Sequence, residues 1–322
     1  MSAVSSVQAV VDAGGAPASR LMDQLEQRLA QVAAGHGPLL RRYAGDTIAA
    51  GGKRLRPLLV FLAAGAPPPE TDGLLRAAVA VELVHSATLV HDDVLDGSGL
   101  RRGRPTVFAS GGRRLATATG DLLFSRAFAE LAATGSLESV RALSRASSEL
   151  ATGELMQRTD AFKAVSIDRY LERCRLKTAV LFRAACELGA IEGDGPVAAL
   201  GGFGEQIGTA FQLLDDVLDV TGPPERTGKP RGADLLDGTI TLPLLIARSR
   251  DPEIAALALD EIGTPEAATS VCDRIAATGA LESARARAMG LVASAKAALP
   301  AVPPRQRTAL ELVADGVVER YS

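Results

Sequence analysis

His91-Asp92-Asp93-Val94-Leu95-Asp96 ends a long apolar helical pattern that begins at Leu74, and a glycine- and arginine-rich loop follows it. In a helix, Asp92 and Asp96 share one face and lie one turn apart, while Asp93 points about a quarter turn away. Two carboxylates so close together at the carboxyl end of a helix repel each other and oppose the helix dipole. The stretch therefore predicts an apolar helix whose acidic end requires a cation.

A second copy of this pattern, Asp215-Asp216-Val217-Leu218-Asp219, closes another apolar helical pattern that begins near Val197. Gln212 lies one turn earlier on the face of Asp215 and Asp219. Oxygen ligands without a neighbouring cysteine suit Mg²⁺, which usually completes its coordination shell with substrate phosphates. A single cluster could equally be a solvated helix end. Two copies, each followed by a basic loop, favour a magnesium site.

The composition predicts an all-α protein. Of the 322 residues, 47% are hydrophobic and only 3% are aromatic, and no stretch alternates as a strand would. We expect one large helical bundle with a central cavity faced by the two acidic helices, formed by residues 19–322 behind a flexible leader, residues 1–18. The net charge of −3 gives no electrostatic case for nucleic-acid binding.

The cysteines and the apolar segments bear on the compartment. Cys174, Cys186 and Cys272 are few, odd in number and widely spaced, which is typical of reduced thiols in a cytosolic protein. No basic segment followed by an apolar one marks a signal peptide, and no uncharged apolar run reaches the roughly 18–20 residues of a membrane helix. The sequence predicts a soluble, cytoplasmic protein without a transmembrane segment.

Positive charge is concentrated in arginine, since only five of the 35 basic residues are lysines. Lys53 and Arg56 follow two glycines at a predicted helix start, which is itself a favourable position for anions. Lys177 and Lys229 fall in two further polar stretches. Guanidinium groups match phosphate oxygens in a bidentate way, although a single arginine more often forms a surface ion pair. Together these cations fit a diphosphate.

His85 precedes Asp92 by two helical turns and lies on nearly the same face. By itself it is typical of a hydrogen-bonded interior histidine. With Glu82 it also spells Glu-x-x-His, the ligand unit of di-iron bundles, but that fold requires a second such unit. Neither His36 nor His91 belongs to one, so the di-iron interpretation fails.

Several motifs together resemble the trans-type polyprenyl (isoprenyl) diphosphate synthases of the long-chain type. They occur in the family's order from about residue 20 onward: Gly51-Gly52-Lys53-Arg54-Leu55-Arg56-Pro57, the first Asp cluster with Arg101-Arg102-Gly103-Arg104-Pro105-Thr106, Lys177-Thr178-Ala179, and Gly208-x-x-Phe211-Gln212 with the second Asp cluster. The resemblance implies a helical prenyltransferase, usually a homodimer. Such an enzyme extends an allylic diphosphate with isopentenyl diphosphate and uses two or three Mg²⁺ ions.

The resemblance also implies roles for individual residues. It makes the metal ligands Asp92, Asp96 and Asp215, supported by Asp93, Asp216 and Asp219. It assigns isopentenyl diphosphate to Lys53, Arg56, His85 and Arg102. It assigns the allylic diphosphate to Arg101, Lys177, Thr178, Gln212 and Lys229. One position departs from the family pattern, because Thr239 stands where many members have a lysine after the glycine.

Product length is predicted from the residues that precede the first cluster. In the family, bulky aromatic residues at the positions of Ala87 and Thr88 block the pocket, and both residues are small here. We therefore expect a product of about six or more isoprene units, with the pocket floor set deeper, by Phe124, Phe128 or Leu131. These three could equally be ordinary packing residues.

Three alternatives remain open on the sequence. The product could be of farnesyl or geranylgeranyl length. A class I terpene cyclase shares the first Asp cluster, but it normally carries a different second metal motif. A non-catalytic subunit of a heteromeric synthase would usually have lost aspartates, and both clusters are complete here.

Overall fold

The computed structural model describes residues 3–35, 37–49, 52–66, 71–101, 103–222 and 230–319. Two residues with predicted roles, Arg102 and Lys229, lie outside these ranges. The described residues are overwhelmingly helical, which confirms the predicted fold class. One short antiparallel hairpin interrupts the helices, in which Leu100 pairs with Pro105 and Arg101 with Arg104.

The helices are numbered in chain order among the described residues. Their bounds are α1 Ala3–Ala34, α2 Gly37–Ala49, α3 Leu55–Ala63, α4 Asp72–Leu95, α5 Val107–Ala132, α6 Leu137–Asp160, α7 Ile167–Cys174, α8 Val180–Glu192, α9 Val197–Thr221, α10 Ala233–Leu236, α11 Leu242–Arg248, α12 Pro252–Ala256, α13 Pro265–Ala277, α14 Ala280–Ala297 and α15 Pro304–Glu319. A π-helical segment, Arg175–Ala179, connects α7 to α8, and a 3₁₀ turn spans Leu259–Glu261. The hairpin strands are β1, Leu100–Arg101, and β2, Arg104–Pro105.

The chain divides into two compact units. Unit 1 comprises Met1–Ser147, Leu181–Gly204 and Leu299–Val313. Unit 2 comprises Ser148–Val180, Glu205–Ala298 and Ala314–Ser322. Each unit contains one of the two Asp clusters together with the residues that hold it.

Unit 1 is built around α4. This helix is apolar on nearly all sides and is correspondingly buried over most of its length, from Leu74 to Val94. It is also long and apolar enough to cross a membrane, but 67% of its most apolar window is buried inside the fold, as in the core helix of a globular protein. Glu130 on α5 ties it to its neighbours, because it accepts hydrogen bonds from Arg28 on α1 and Arg76 on α4.

Unit 2 places α6, α7 and α9 close together. A Cβ added at Gly153 on α6 would lie 2.6 Å from the backbone nitrogen of Lys177, so only glycine allows this approach. The backbone N–H of Phe162 donates to the carbonyl of Gly238 at 2.9 Å, and Arg173 donates to the carbonyl of Ile240. These contacts bring the loop between α10 and α11 against α7 and the segment before it.

Two helical stretches are irregular. α1 begins at Ala3 and is kinked at Gly15, where φ is 77°. That residues 1–18 form a flexible leader stays a prediction. The second is the π-helical segment Arg175–Ala179, which separates α7 from α8. A π turn accommodates one extra residue within a helix, and such turns are frequent at functional sites.

Candidate active site

The first Asp cluster forms the last turn of α4 and is held by the hairpin that follows. Asp93 is buried, and its Oδ1 accepts hydrogen bonds from Nε of Arg101 at 2.9 Å and pairs with its Nη2 at 2.8 Å. Arg101 reaches back because the backbone N–H of Ser98 donates to the carbonyl of Asp93 and closes the turn. Asp92 is half-buried, and Asp96 is exposed.

The second cluster forms the last turns of α9 and is held by α7. The middle aspartate, Asp216, is again buried. Its Oδ2 accepts a 2.6 Å hydrogen bond from the hydroxyl of Tyr170, and its Oδ1 accepts one of 2.8 Å from the Gln212 amide. The side-chain oxygen of Gln212 accepts a 2.6 Å hydrogen bond from the Thr178 hydroxyl. Asp215 and Asp219 are half-buried.

Burial has the largest effect on the pKa of the Asp216 carboxyl. It raises the pKa of this carboxyl to about 7, and the negative charge of Asp234 acts in the same direction, against the hydrogen bonds from Tyr170 and Gln212. Burial and the neighbouring Asp216 also raise the pKa of the Tyr170 hydroxyl well above its usual value. Tyr170 therefore remains a neutral donor to Asp216 throughout the physiological range.

Both clusters thus divide their aspartates in the same way. The middle carboxylate is buried and bonded to protein groups, whereas the outer two, at i and i+4, are accessible to solvent. The 100° step of a helix produces this division, because a residue next to the outer pair points toward the packed interior. In each cluster the outer pair is therefore more accessible than the middle aspartate.

Lys177 and Thr178 lie on the π-helical segment of unit 2. The ammonium of Lys177 forms a 2.6 Å ion pair with Glu154 on α6. Although burial favours the neutral acid, the charge of Lys177 and hydrogen bonds from Lys177 and Arg158 lower the pKa of Glu154 below its usual value. Glu154 stays ionised and fixes the position of the Lys177 ammonium. The segment therefore carries a fixed cation next to the hydroxyl of Thr178.

Lys53, Arg56 and His85 belong to unit 1. Nη1 of Arg56 lies 3.3 Å from Nε2 of His85, and its guanidinium stacks 4.6 Å from the ring centroid of Phe182. Lys53 precedes α3 and is half-buried. The structure therefore brings Arg56 and His85 together, as a shared anion site would require.

No group of three or more His, Cys, Asp or Glu side chains within the described ranges converges as around a bound metal ion. The accessible carboxylates of each cluster supply only part of a coordination shell. Mg²⁺ tolerates this, because it binds few carboxylates and takes its remaining ligands from water and phosphate. The donor set fits a metal that arrives with a diphosphate.

Comparison with known proteins decides the family. The family model described as "Polyprenyl synthetase" matches residues 38–278. The chain belongs to the polyprenyl synthetase family. It is a prenyltransferase, and it shares the helical fold of the family's solved structures.

Individual relatives of this prenyltransferase differ in the product they are named for. The chain is 43% identical over 227 residues to a heptaprenyl diphosphate synthase component 2 from Geobacillus stearothermophilus, covering 69% of this chain and 71% of the relative. It is 34% identical over 321 residues to a geranylgeranyl diphosphate synthase from Methanosarcina mazei, covering 93% and 98%. The relatives therefore leave product length open.

One solved structure shares the fold over nearly the whole chain. It is a polyprenyl synthase from Caulobacter crescentus complexed with calcium and isoprenyl diphosphate. The TM-score is 0.89 at 38% identity, and the match covers 97% of this chain and 98% of the other. The prenyltransferase therefore matches, over nearly its whole length, a fold that holds a divalent cation and an isoprenyl diphosphate in that relative.

The residues predicted to set product length lie on α4 and α5 of the prenyltransferase. Ala87 is fully buried, and Thr88 is half-buried with its hydroxyl donating to the carbonyl of His85 at 2.8 Å. The ring of Phe124 stacks on His91 at 5.9 Å between centroids, which places it beside the Asp end of α4. Because α5 runs antiparallel to α4, Phe128 lies one turn farther from the cluster and is the deeper of the two.

Sequence reasoning missed several residues that hold the site. Tyr170 and Glu154 support Asp216 and Lys177, and neither falls in a motif. Their contacts join residues far apart in the sequence, so no local pattern announces them. Arg54 and Glu82 were visible, since the first lies in the Gly-Gly-Lys-Arg motif and the second in Glu-x-x-His. The contact between these two residues could not be predicted from the sequence.

Proposed function

We propose that this prenyltransferase condenses isopentenyl diphosphate with an allylic diphosphate to form an all-trans polyprenyl diphosphate in a Mg²⁺-dependent reaction. The observation that carries the proposal is the repeated division of the Asp clusters into a buried, bonded middle carboxylate and an accessible outer pair. A solvated helix end would not require Arg101 or Tyr170 to fix the middle residue.

The outer carboxylates Asp92, Asp96 and Asp215 are the proposed metal ligands, with Asp219 in support. Asp93 and Asp216 act through packing and hydrogen bonds that fix their helix ends. Bound Mg²⁺ would neutralise the diphosphate that leaves the allylic substrate. Two or three ions would suit the number of carboxylates.

Cationic side chains, together with Thr178 and Gln212, hold the two diphosphates. Lys53, Arg56, His85 and Arg102 are proposed for isopentenyl diphosphate. Arg101, Lys177, Thr178, Gln212 and Lys229 are proposed for the allylic diphosphate. In this reaction the allylic C–O bond breaks, the double bond of isopentenyl diphosphate attacks the resulting cation, and a proton is lost. Cations fixed before the reaction stabilise the departing charge without reorganisation.

No side chain in these motifs is an obvious strong base, so we assign the final proton to the released diphosphate. The chain's own contribution at this step is to exclude water, which would quench the cation. The apolar residues of α4 that precede Asp92, including the buried Ala87, serve this purpose. They also receive the growing hydrocarbon tail.

We propose a product of about six or more isoprene units. Support comes from the small residues Ala87 and Thr88 before the first cluster and from the heptaprenyl name of one relative. Phe128 and Leu131, which lie farther along α5 than Phe124, are the candidates for the pocket floor.

A homodimer in the cytoplasm is the proposed working form. A second candidate is a catalytic subunit that requires a different partner chain, and the name "component 2" of the Geobacillus relative favours it. The two differ in a simple observation. A homodimeric enzyme elongates when purified alone, whereas a two-component enzyme requires the partner.

The proposal is tested by incubating the purified chain with MgCl₂, isopentenyl diphosphate and dimethylallyl, geranyl, farnesyl or geranylgeranyl diphosphate in turn. Products are dephosphorylated and sized by chromatography against prenol standards. We expect elongation with at least one primer to about six or more units. Products that stop at farnesyl or geranylgeranyl length would overturn the length assignment, and no incorporation with any primer would overturn self-sufficient elongation.

A further inference from the structure

Arg54 is a buried arginine that the assigned roles leave unused. It precedes α3, between Lys53 and Arg56, and only 8% of it is exposed. Its backbone lies in the left-handed region, with φ 47° and ψ 36°, which residues other than glycine and asparagine seldom adopt. Such a conformation persists only where surrounding contacts enforce it, and it occurs preferentially at functional sites.

All three guanidinium nitrogens of Arg54 donate hydrogen bonds to surrounding helices. Nε donates to Glu26 on α1 at 2.6 Å, Nη1 donates to Glu82 on α4 at 2.6 Å, and Nη2 donates to the carbonyl of Ile48 on α2 at 2.8 Å. A planar, rigid fork can satisfy three directions at once, which a lysine ammonium on a flexible stem cannot do in the same geometry. The segment before α3 is therefore fastened to three helices through one side chain.

Glu82 is the deepest of these partners, with 4% of its surface exposed. It lies one turn before His85 on the same face of α4, and His85 in turn contacts Arg56. One face of α4 thus fixes the segment at two points, Arg54 through Glu82 and Arg56 through His85. Lys53 directly precedes Arg54 in the chain, so fixing Arg54 also limits the position of Lys53.

We propose that Glu82 and Arg54 are positioning residues that hold Lys53 and Arg56 as a preformed site for the diphosphate of isopentenyl diphosphate. The proposal rests on the proposed function for the assignment of that substrate. It explains why an acidic side chain is buried among residues that bind an anion. Glu82 neutralises Arg54, which faces inward, and leaves the charge of Lys53 and Arg56 for the ligand.

A buried ion pair is often no more stabilising than apolar residues of similar volume. The burial of the Glu82–Arg54 pair therefore does not reveal its role, and its position beside Lys53 and Arg56 carries the argument. The chain offers a matched comparison in Glu130, which is also 4% exposed and also lies in unit 1, and which pairs with two arginines, Arg28 and Arg76. These two contacts join α5 to α1 and α4, and neither arginine has a proposed role in binding substrate.

The test compares Glu82→Gln with Glu130→Gln in the full chain. KM for isopentenyl diphosphate, KM for the allylic primer and kcat are measured for each variant, together with the melting temperature. We expect Glu82→Gln to raise KM for isopentenyl diphosphate by about tenfold or more relative to the allylic KM, with kcat changed less than about twofold. Glu130→Gln is expected to lower the melting temperature while leaving the ratio of the two KM values unchanged.

Arg54→Lys provides a second variant in case Glu82→Gln does not fold. It keeps the charge, loses the three-way fork, and is expected to raise the same KM. The proposal is overturned if the KM ratio of these variants stays within about twofold of that of Glu130→Gln. If the parent chain fails to elongate, the proposed function is at fault. Calorimetric titration of isopentenyl diphosphate into the same variants then decides the inference, with the same tenfold criterion.

Discussion

The middle aspartate of each cluster shows how one residue prepares its neighbours for a ligand. Asp93 and Asp216 are buried and bonded, to Arg101 in the first cluster and to Tyr170 and Gln212 in the second. Each carboxylate at a helix carboxyl end is unfavourable for the helix dipole. Fixing the middle one leaves the outer pair with the repulsion that a cation would relieve.

Replacing an outer aspartate should therefore separate activity from stability. We predict that Asp92→Asn lowers kcat by about a hundredfold or more, because a proposed metal ligand is lost. The metal-free variant should lose less stability than a variant at the buried Asp93, because Asp92 is only half-buried and a like charge leaves the helix end. Chemical denaturation and steady-state kinetics measure the two effects.

Asp93→Asn is the matched control for that substitution. It should destabilise the protein, because the half-buried Arg101 loses its buried counter-charge, at a cost of about 1–3 kcal/mol. A loss of stability in Asp92→Asn equal to that in Asp93→Asn would contradict the division between outer and middle aspartates.

Tyr170→Phe should destabilise unit 2. The variant removes the 2.6 Å hydrogen bond to Asp216 and leaves a buried carboxylate with one donor fewer, at a cost of about 1–3 kcal/mol. The free energy of unfolding in urea measures this cost. Tyr43→Phe, at a half-buried tyrosine of α2, serves as the control and should change stability by less than about 0.5 kcal/mol. Equal effects of the two substitutions would refute the role given to Tyr170.

At the scale of elements, the π-helical segment depends on one glycine. Gly153 allows α6 to approach the backbone at Lys177, and the neighbouring Glu154 then reaches the ammonium at 2.6 Å. The two consecutive residues on α6 thus fix both the backbone and the side chain of the segment. This explains why a local irregularity occurs where two proposed ligand-binding residues lie.

Gly153→Ala tests this packing. The added Cβ would lie 2.6 Å from the Lys177 nitrogen and 2.9 Å from the Leu176 carbonyl carbon, and backbone atoms cannot yield as a flexible side chain can. We predict a loss of about 1–3 kcal/mol in stability and a raised KM for the allylic primer. Gly202→Ala on α9 meets nothing within 4 Å and should instead stabilise by about 0.5–1 kcal/mol. A neutral Gly153→Ala would show that the close approach is not required.

The contact between α4 and α5 yields a prediction about product length. Thr88→Phe should shorten the product, because a half-buried position one turn before Asp92 can turn an aromatic ring into the path of the tail. Ala87→Phe should also shorten it, but at a cost of about 1–3 kcal/mol, because Ala87 is already fully enclosed. Thr88→Ala serves as the control. Product lengths that are unchanged in both aromatic variants would remove these residues from the length-setting role.

For the molecule as a whole, the sequence predicted those features that depend on local order. The apolar patterns before Asp92 and Asp215 correspond to α4 and α9, and the fold class follows from composition and periodicity. Arg54 could not be predicted in its role, because its conformation is enforced by partners on three separate helices. Tyr170 and Asp216 are 46 residues apart, and only the folded chain joins them.

The π-helical segment escaped prediction for a different reason. Arg175-Leu176-Lys177-Thr178-Ala179 has the periodicity of an ordinary helix, and nothing within it demands an extra residue in the turn. Gly153 on α6 provides the space that the displaced backbone occupies. Tertiary packing overrides local propensity here, at one of the places where function is proposed.

The most direct test of the central claim measures inorganic diphosphate and product length in the same reaction of the purified chain. Each condensation releases one diphosphate for each isopentenyl unit added. With MgCl₂ we predict that diphosphate release equals the number of units incorporated, that EDTA abolishes both, and that added Mg²⁺ restores both. Diphosphate release without elongation, or elongation that persists in EDTA, would contradict the account.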